Sequence, residues 1–166
     1  MIMKNHNFFY KITHTKKTLL LLYFFFYMPW FILLERYIKK YHIVHIPVDD
    51  YIPFVEIFII PYLLWFLYVF FTLMYFLINT DKEYFVFSLY LYTGMTIFLI
   101  VSTIYPTGHL LRPNSFDRAN IFTSLVSLLY YMDTPTNILP SIHVFNSCAC
   151  FVAIFKNKNL RKKKFI

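Results

Sequence analysis

The sequence predicts an all-α integral membrane helical bundle, built as a single membrane domain over residues 1–166. Three observations predict it. Apolar residues make up 59% of the chain and charged residues only 14%, against about 45–50% and 25% in soluble domains. The apolar residues fall into long runs almost free of charge, as spanning helices require. The basic residues gather beside the first and last of those runs: Lys4, Lys11, Lys16 and Lys17 at the start, and Lys156, Lys158, Arg161, Lys162, Lys163 and Lys164 at the end. Such clusters mark the cytoplasmic flanks of membrane helices. The formal charge of +8 is therefore read as topology, with no nucleic-acid partner expected. A soluble enzyme and a disordered tail both fit this composition badly.

The first apolar run is Thr18–Leu34, "TLLLLYFFFYMPWFILL". Its length is at the short end for a span. No small-residue cleavage site follows it, so an uncleaved first span is expected, kinked at Pro29. Glu35–Pro53 is mixed in charge, carries two prolines and reads as a loop with one interfacial turn. Its His42, His45, Asp49 and Asp50 match no standard metal-ligand spacing. The second run, Val55–Ile78, and the third, Tyr84–Ile104, are both long enough to cross, with the polar turn "NTDKEY" between them.

The pattern then breaks. Tyr105–Asn120 is polar and rich in turn residues. Ile121–Tyr131 is apolar but too short to cross, so a short interfacial or re-entrant helix is expected. Asp133–Phe145, "DTPTNILPSIHVF", leads into a fourth run, Ile138–Phe155. Cys148 and Cys150, two apart, fall on different faces of that helix and are not expected to pair. Four spans place both basic termini on one side, so the termini are expected in the cytoplasm and Tyr105–Asn137 on the outer face of the cell membrane.

Polar groups at the edge of an apolar run are costly unless something satisfies them. Two pieces of the outer segment stand out, "GHLLRP" at Gly108–Pro113 and "PSIH" at Pro140–His143. Arg112 is a permanent cation whose planar fork of donors suits phosphate oxygens. His143 can give or take a proton near neutral pH. Pro140 suits the first turn of a helix, where free N–H groups and Ser141 would meet an anion beside His143. Together these describe a phosphate site. The competing description is also open, since a lone interfacial histidine and an Arg-Pro pair are both common without any ligand.

"RP" followed by "PSIH" between the third and fourth spans resembles the type 2 phosphatidic acid phosphatase superfamily. That family's signature is K-x6-R-P, then P-S-G-H, then S-R-x5-H-x3-D. Twenty-six residues separate Pro113 from Pro140, within the family's range. The wider context "YPT…RP…DTPTNILPSIH" looks like the branch with a bulky residue in place of the second motif's glycine, which includes relatives of inositol phosphorylceramide synthase. "DDYIPFVEIFIIPYLLWF" looks like bacterial members of it. The resemblance covers roughly Ile46 to Phe155.

The resemblance implies a six-helix family core acting on lipid or polyprenyl phosphate esters, as hydrolase or phosphotransferase, through a phosphohistidine. It implies Arg112 and Ser141 as phosphate-binding residues and His143 as the general acid. His109, Arg118, Asp133 and Asn137 are possible substrate contacts. No metal or other cofactor is implied, because Arg and helix dipoles carry the electrostatic load. The sequence departs from the pattern in three ways. Tyr105 stands where the first motif has Lys, Ile142 replaces the glycine, and no S-R-x5-H-x3-D occurs in the 166 residues, which extend 23 past His143. The chain is thus expected to be the N-terminal two-thirds of the family core, truncated before the nucleophile and inactive alone. The alternative is a non-enzymatic multi-pass membrane protein that binds phosphate head groups of membrane lipids.

Overall fold

The computed structural model describes residues 17–113 and 115–163. Lys4, Lys11, Lys16 and Lys164 of the basic clusters lie outside the described residues. The described chain is mostly helical. It comprises α1 (Lys17–Leu21), α2 (Tyr23–Tyr37), β1 (His42–Ile43), α3 (Ile59–Asn79), α4 (Asp81–Ile104), β2 (Thr107–Gly108), α5 (Ile121–Met132), α6 (Ile142–Lys156) and α7 (Lys158–Lys163), with 3₁₀ turns at Pro47–Tyr51 and Glu56–Phe58.

Three helical stretches are long and apolar enough to cross a membrane: Leu19–Tyr37, Glu56–Asn79 and Asp81–Ile104. The expected fourth run yields a shorter helix, Ile142–Lys156, of 15 residues. Its first four expected residues, Ile138–Ser141, are drawn instead into the preceding loop. The first span has an irregular turn near its start. Its irregularity is at Leu22, where Leu22 N–H donates to the Leu19 carbonyl and Phe25 N–H to the Leu22 carbonyl. The helix runs on through Pro29. The expected polar turn between spans two and three shrinks to one extended residue, Thr80, after which Asp81 and Glu83 occupy the first turn of α4. Carboxylates there complement the positive end of the helix dipole.

The bundle is organised around α4, which packs against α2, α3 and α6. Within its apolar window 44% of residues are buried, against 11% for the first span and 17% for the second. Its buried face recurs every three or four residues through Tyr84, Phe87, Leu91, Met95, Phe98 and Ser102, the spacing of one helical stripe. Gly94 lies directly under the Phe145 ring of α6. Ala149 and Cys150 of α6 are buried, and Cys148 is exposed and unpaired. Small residues let membrane helices approach closely.

Four threonine hydroxyls on the spans are satisfied locally, whereas those of Ser88, Tyr92 and Ser102 are buried without a hydrogen-bond partner among the described residues. Thr72, Thr93, Thr96 and Thr103 donate to the carbonyl four residues earlier, at 2.7–2.8 Å. Two aromatic side chains of α2 reach across to α4: Tyr23 stacks on Tyr92 at 4.3 Å and meets Thr96, and Trp30 Nε1 donates to Thr103 Oγ1 at 3.1 Å.

The two ends of the bundle are chemically different. At one end Lys17 donates to the Leu77 carbonyl and pairs with Asp81, while Asn157 donates to Glu83. The other end carries the loops. There β1 and β2 pair in parallel, His42 with Thr107 and Ile43 with Gly108, and Thr136 adds an antiparallel bridge to Gly108. A Cβ on Gly108 would lie 2.5 Å from the Tyr41 ring and 2.7 Å from the Pro135 carbonyl oxygen, so only glycine fits the crossing.

Candidate functional site

The candidate phosphate-site residues lie toward the loop end, which is assembled from polar pins that join distant segments. The short helix α5 is pinned at both ends. Asn120 caps its N-terminus by accepting from Thr123 N–H at 2.9 Å, and Asn120 Nδ2 donates to Glu56 Oε1 at 3.0 Å. Such a cap satisfies an N–H with no partner within the helix. Arg118 is exposed and 4.0 Å from the same carboxylate. At the C-terminus, Arg112 Nη1 donates to the Asp133 carbonyl at 2.7 Å and to the Tyr130 carbonyl at 3.5 Å. Its guanidinium lies 4.3 Å from the centre of the Tyr130 ring, and Nη2 lies 3.7 Å from Asp133 Oδ2. A cation suits the carbonyl end of a helix. Arg112 is therefore engaged as the C-terminal clamp of α5.

The "DTPTN" loop is held by a residue that the sequence analysis left out of the site. Glu35, at the end of the first span, accepts from Thr134 N–H at 2.9 Å, from Thr134 Oγ1, and from Asn137 Nδ2 at 2.9 Å. Asn137 is buried and has φ 57°, in the left-handed region that Asn tolerates better than most residues. Thr107 ties the next stretch: its Oγ1 accepts from Leu139 N–H at 3.0 Å. His109 N–H donates to the Pro135 carbonyl at 3.1 Å, and His109 Nδ1 accepts from Leu111 N–H. The loop is thus stitched to β2 and to α2.

Pro140 is not in the first turn of α6, as expected. Ser141 is the N-cap, accepting from Val144 N–H at 3.4 Å, and Pro140 precedes it with a cis Leu139–Pro140 bond. His143 is in the first turn of α6. Its ring packs on Trp65 at 4.3 Å and Tyr62 at 5.3 Å, and Nε2 is buried without a hydrogen-bond partner among the described residues. Trp65 Nε1 donates to the His143 carbonyl at 3.1 Å, which seats the start of α6 beside Trp65.

Tyr62 lies beside the start of α6. Its ring packs on His143, with 5.3 Å between the ring centres. Burial and the nearby Glu35 carboxylate push the Asp133 carboxyl up to about 6, against the opposing pull of Arg112. Burial, and then Arg112, hold His109 below the usual imidazole range, with Asp49 acting the other way. The end therefore holds two carboxylates and one guanidinium close together, joined by amides and hydroxyls, with the His109 imidazole beside them. Among the described residues no group of three His, Cys, Asp or Glu is placed to hold a metal ion.

The structure thus brings Arg112, Asp133 and Asn137 into one network with Glu35, and sets His143 and Ser141 at its edge. His109 joins through the backbone, and Arg118 is peripheral. Glu35 was detectable in principle: "FILLERY" puts a carboxylate on an apolar helix, where it needs a partner. Its partners, 99 and 102 residues away, carried no local signal. No known protein family, curated protein or solved structure matches this chain.

Proposed function

We propose that this chain is a four-span membrane protein whose loop end recognises phosphate head groups of membrane lipids, as the phosphate-gripping half of a site like that of the type 2 phosphatidic acid phosphatases. One observation carries the reading. The Arg-Pro segment and the Pro-Ser-Ile-His segment meet at one end of the bundle, sewn together by Thr107 to Leu139 and by His109 to Pro135, with Tyr62 packed on His143.

The fourth crossing follows from depth. Trp65 is nine residues beyond Glu56, about 14 Å down the second span at 1.5 Å per residue. The α6 helix starts beside Trp65 and ends at Asn157, which bonds Glu83 at the opposite end. Its 15 residues supply about 22 Å, and the loop Asp133–Ser141, buried at Thr136 and Asn137, completes the passage. Non-helical backbone at membrane depth is tolerated where protein encloses it, as Glu35 and Thr107 do here. Orientation follows from charge. The described residues at the Lys17–Asn157 end carry seven Lys or Arg against two carboxylates, and the loop end carries five against six. The positive end faces the cytoplasm.

Chemically, Arg112 supplies a forked donor for phosphate oxygens once it leaves the Asp133 carbonyl, and His143 supplies a proton for a departing alkoxide. The nucleophile of the family's third motif is not in this sequence. The chain by itself is accordingly a binder of phosphate monoesters, and turnover requires a histidine from elsewhere. Retention of phosphatidic acid against diacylglycerol by the purified chain, read by native mass spectrometry, tests this. Arg112→Gln should weaken retention of phosphatidic acid by about tenfold or more, the value of one charge-assisted hydrogen bond. Equal retention of the two lipids, or no effect of Arg112→Gln, would end the proposal. Phosphate release by the chain alone, lost in His143→Ala, would refute the part that denies it turnover.

A further inference from the structure

The end of the bundle opposite the loops carries a second feature, unconnected with Arg112 or His143. The α7 helix, "KNLRKK", leaves α6 through a single residue, Asn157, which is 2% exposed. Its side chain makes two bonds in different directions: Nδ2 donates to Glu83 at the start of α4, and Oδ1 accepts from Leu160 N–H at 2.9 Å, capping α7. A free tail needs no buried amide at its root. This one fixes where a basic helix departs from the bundle.

The charge around it is one-sided. Lys156 and Lys158 are exposed, and positions 161, 162 and 163 are Arg, Lys and Lys. Helical spacing sets positions 158, 161 and 162 on one stripe. The two carboxylates of this end are engaged within the bundle: Asp81 pairs with Lys17 and Glu83 accepts from Asn157. Neither is free to neutralise the helix. On the four-span reading proposed above, on which this inference rests, α7 emerges from the end of α6 level with lipid head groups.

We infer that α7 is a docking surface for the anionic head groups of the leaflet at this end, oriented by the Asn157–Glu83 bond. A cationic helix held at that height gains attraction from every anionic lipid within a Debye length, about 8–10 Å at ordinary ionic strength. Each Lys or Arg near such a surface contributes on the order of a fivefold gain in association, so α7 distinguishes an anionic from a neutral bilayer strongly. A soluble polyanion is the other possible occupant. The height of the helix and the bond at its root favour lipid.

The test is amide hydrogen exchange of residues 157–163 in the full chain, in nanodiscs of phosphatidylcholine alone or with phosphatidylserine added. Exchange should slow about tenfold or more in the anionic discs and return to the neutral-disc rate in 1 M salt, where screening falls to about 3 Å. Replacing Lys158, Arg161, Lys162 and Lys163 by Gln should abolish the difference. Asn157→Ala keeps every charge but should reduce it, because the helix loses its fixed exit. Arg112→Gln should leave it unchanged, which separates this surface from the phosphate-binding reading. Equal exchange in both discs would overturn the inference. So would protection that persists in 1 M salt, or equal protection in neutral discs by added single-stranded RNA.

Discussion

Replacing Glu35 should unfasten the loop end while leaving the spans in place. The Glu35 carboxylate accepts three hydrogen bonds from residues 99 and 102 positions away. In Glu35→Ala these donors fare differently. Thr134 Oγ1 keeps Thr136 Oγ1 at 2.6 Å, and Asn137 Nδ2 keeps Thr136 Oγ1 at 3.2 Å. Thr134 N–H has no second acceptor among the described residues. One half-buried donor stranded outright and two weakened amount to about 2–4 kcal/mol, at 1–3 kcal/mol for each group left fully unsatisfied. Glu35→Gln retains one acceptor oxygen but sets an NH₂ against a donor, and should lose about half as much. The measurement is unfolding of the detergent-solubilised chain by titrated SDS, followed by the fluorescence of Trp30 and Trp65. Trp65 touches His143, so it should report loosening of the loop end before Trp30 does. Glu35→Ala and Asn137→Ala should be strongly non-additive, since they remove the same bond. A Glu35→Ala variant within about 0.5 kcal/mol of the parent, the range of an ordinary surface change, would refute the claim that this carboxylate holds the loop.

Two further outcomes follow from the loop end. Gly108→Ala should destabilise the chain by about 1–3 kcal/mol, the usual cost of overpacking, because the new Cβ meets the Tyr41 ring and the backbone oxygen of Pro135; the same SDS titration measures it, and a neutral result would mean that the strand crossing is looser than described. The Asp133 carboxyl, raised from 3.8 to about 6, favours the folded state when protonated. Its contribution is complete below about pH 4 and is lost as the pH rises through about 6. Because the side chain is 37% exposed, solvent screening limits the effect to about 1 kcal/mol. Stability should fall between pH 4 and 7 more steeply in the parent than in Asp133→Asn, and parallel curves would refute the assignment.

The helical spans were legible because a run of apolar residues has only one stable form in lipid, a helix. The same logic placed α5, whose apolar stretch the structure extends by only one residue, to Met132. It failed at α6. Ile138 and Leu139 look like the start of a span by hydrophobicity, yet Thr107 binds both backbone groups of Leu139. That competition from a residue 32 positions away is invisible to any local window. The helix includes Pro29, and the irregular turn at Leu22 carried no proline or glycine to announce it. Within the candidate site, the residue types were legible and their partners were not. Arg112 and Asn137 were picked out as chemistry-bearing residues. That the first clamps a helix end and the second meets Glu35 depends on contacts across the chain.

Those contacts set the terms on which the end can bind anything. The guanidinium of Arg112 satisfies carbonyls at the end of α5, and an anion can take its forked donors only by displacing the Asp133 carbonyl and pushing back a carboxylate. The same movement would pull on Thr134, the next residue, which Glu35 holds from the first span. On the proposed reading, head-group binding and the pinning of the loop compete for one short stretch of backbone. A site of this kind is closed while it is empty, because Arg112, the cation assigned to it, is already in use. This separates it from an open basic patch, where ligand and structure make no demand on the same atoms. The α7 end is such a patch, with its acids engaged within the bundle and its cations on the helix beyond it. One end should thus respond to phosphate chemistry through a change in its own packing, and the other to surface charge without one.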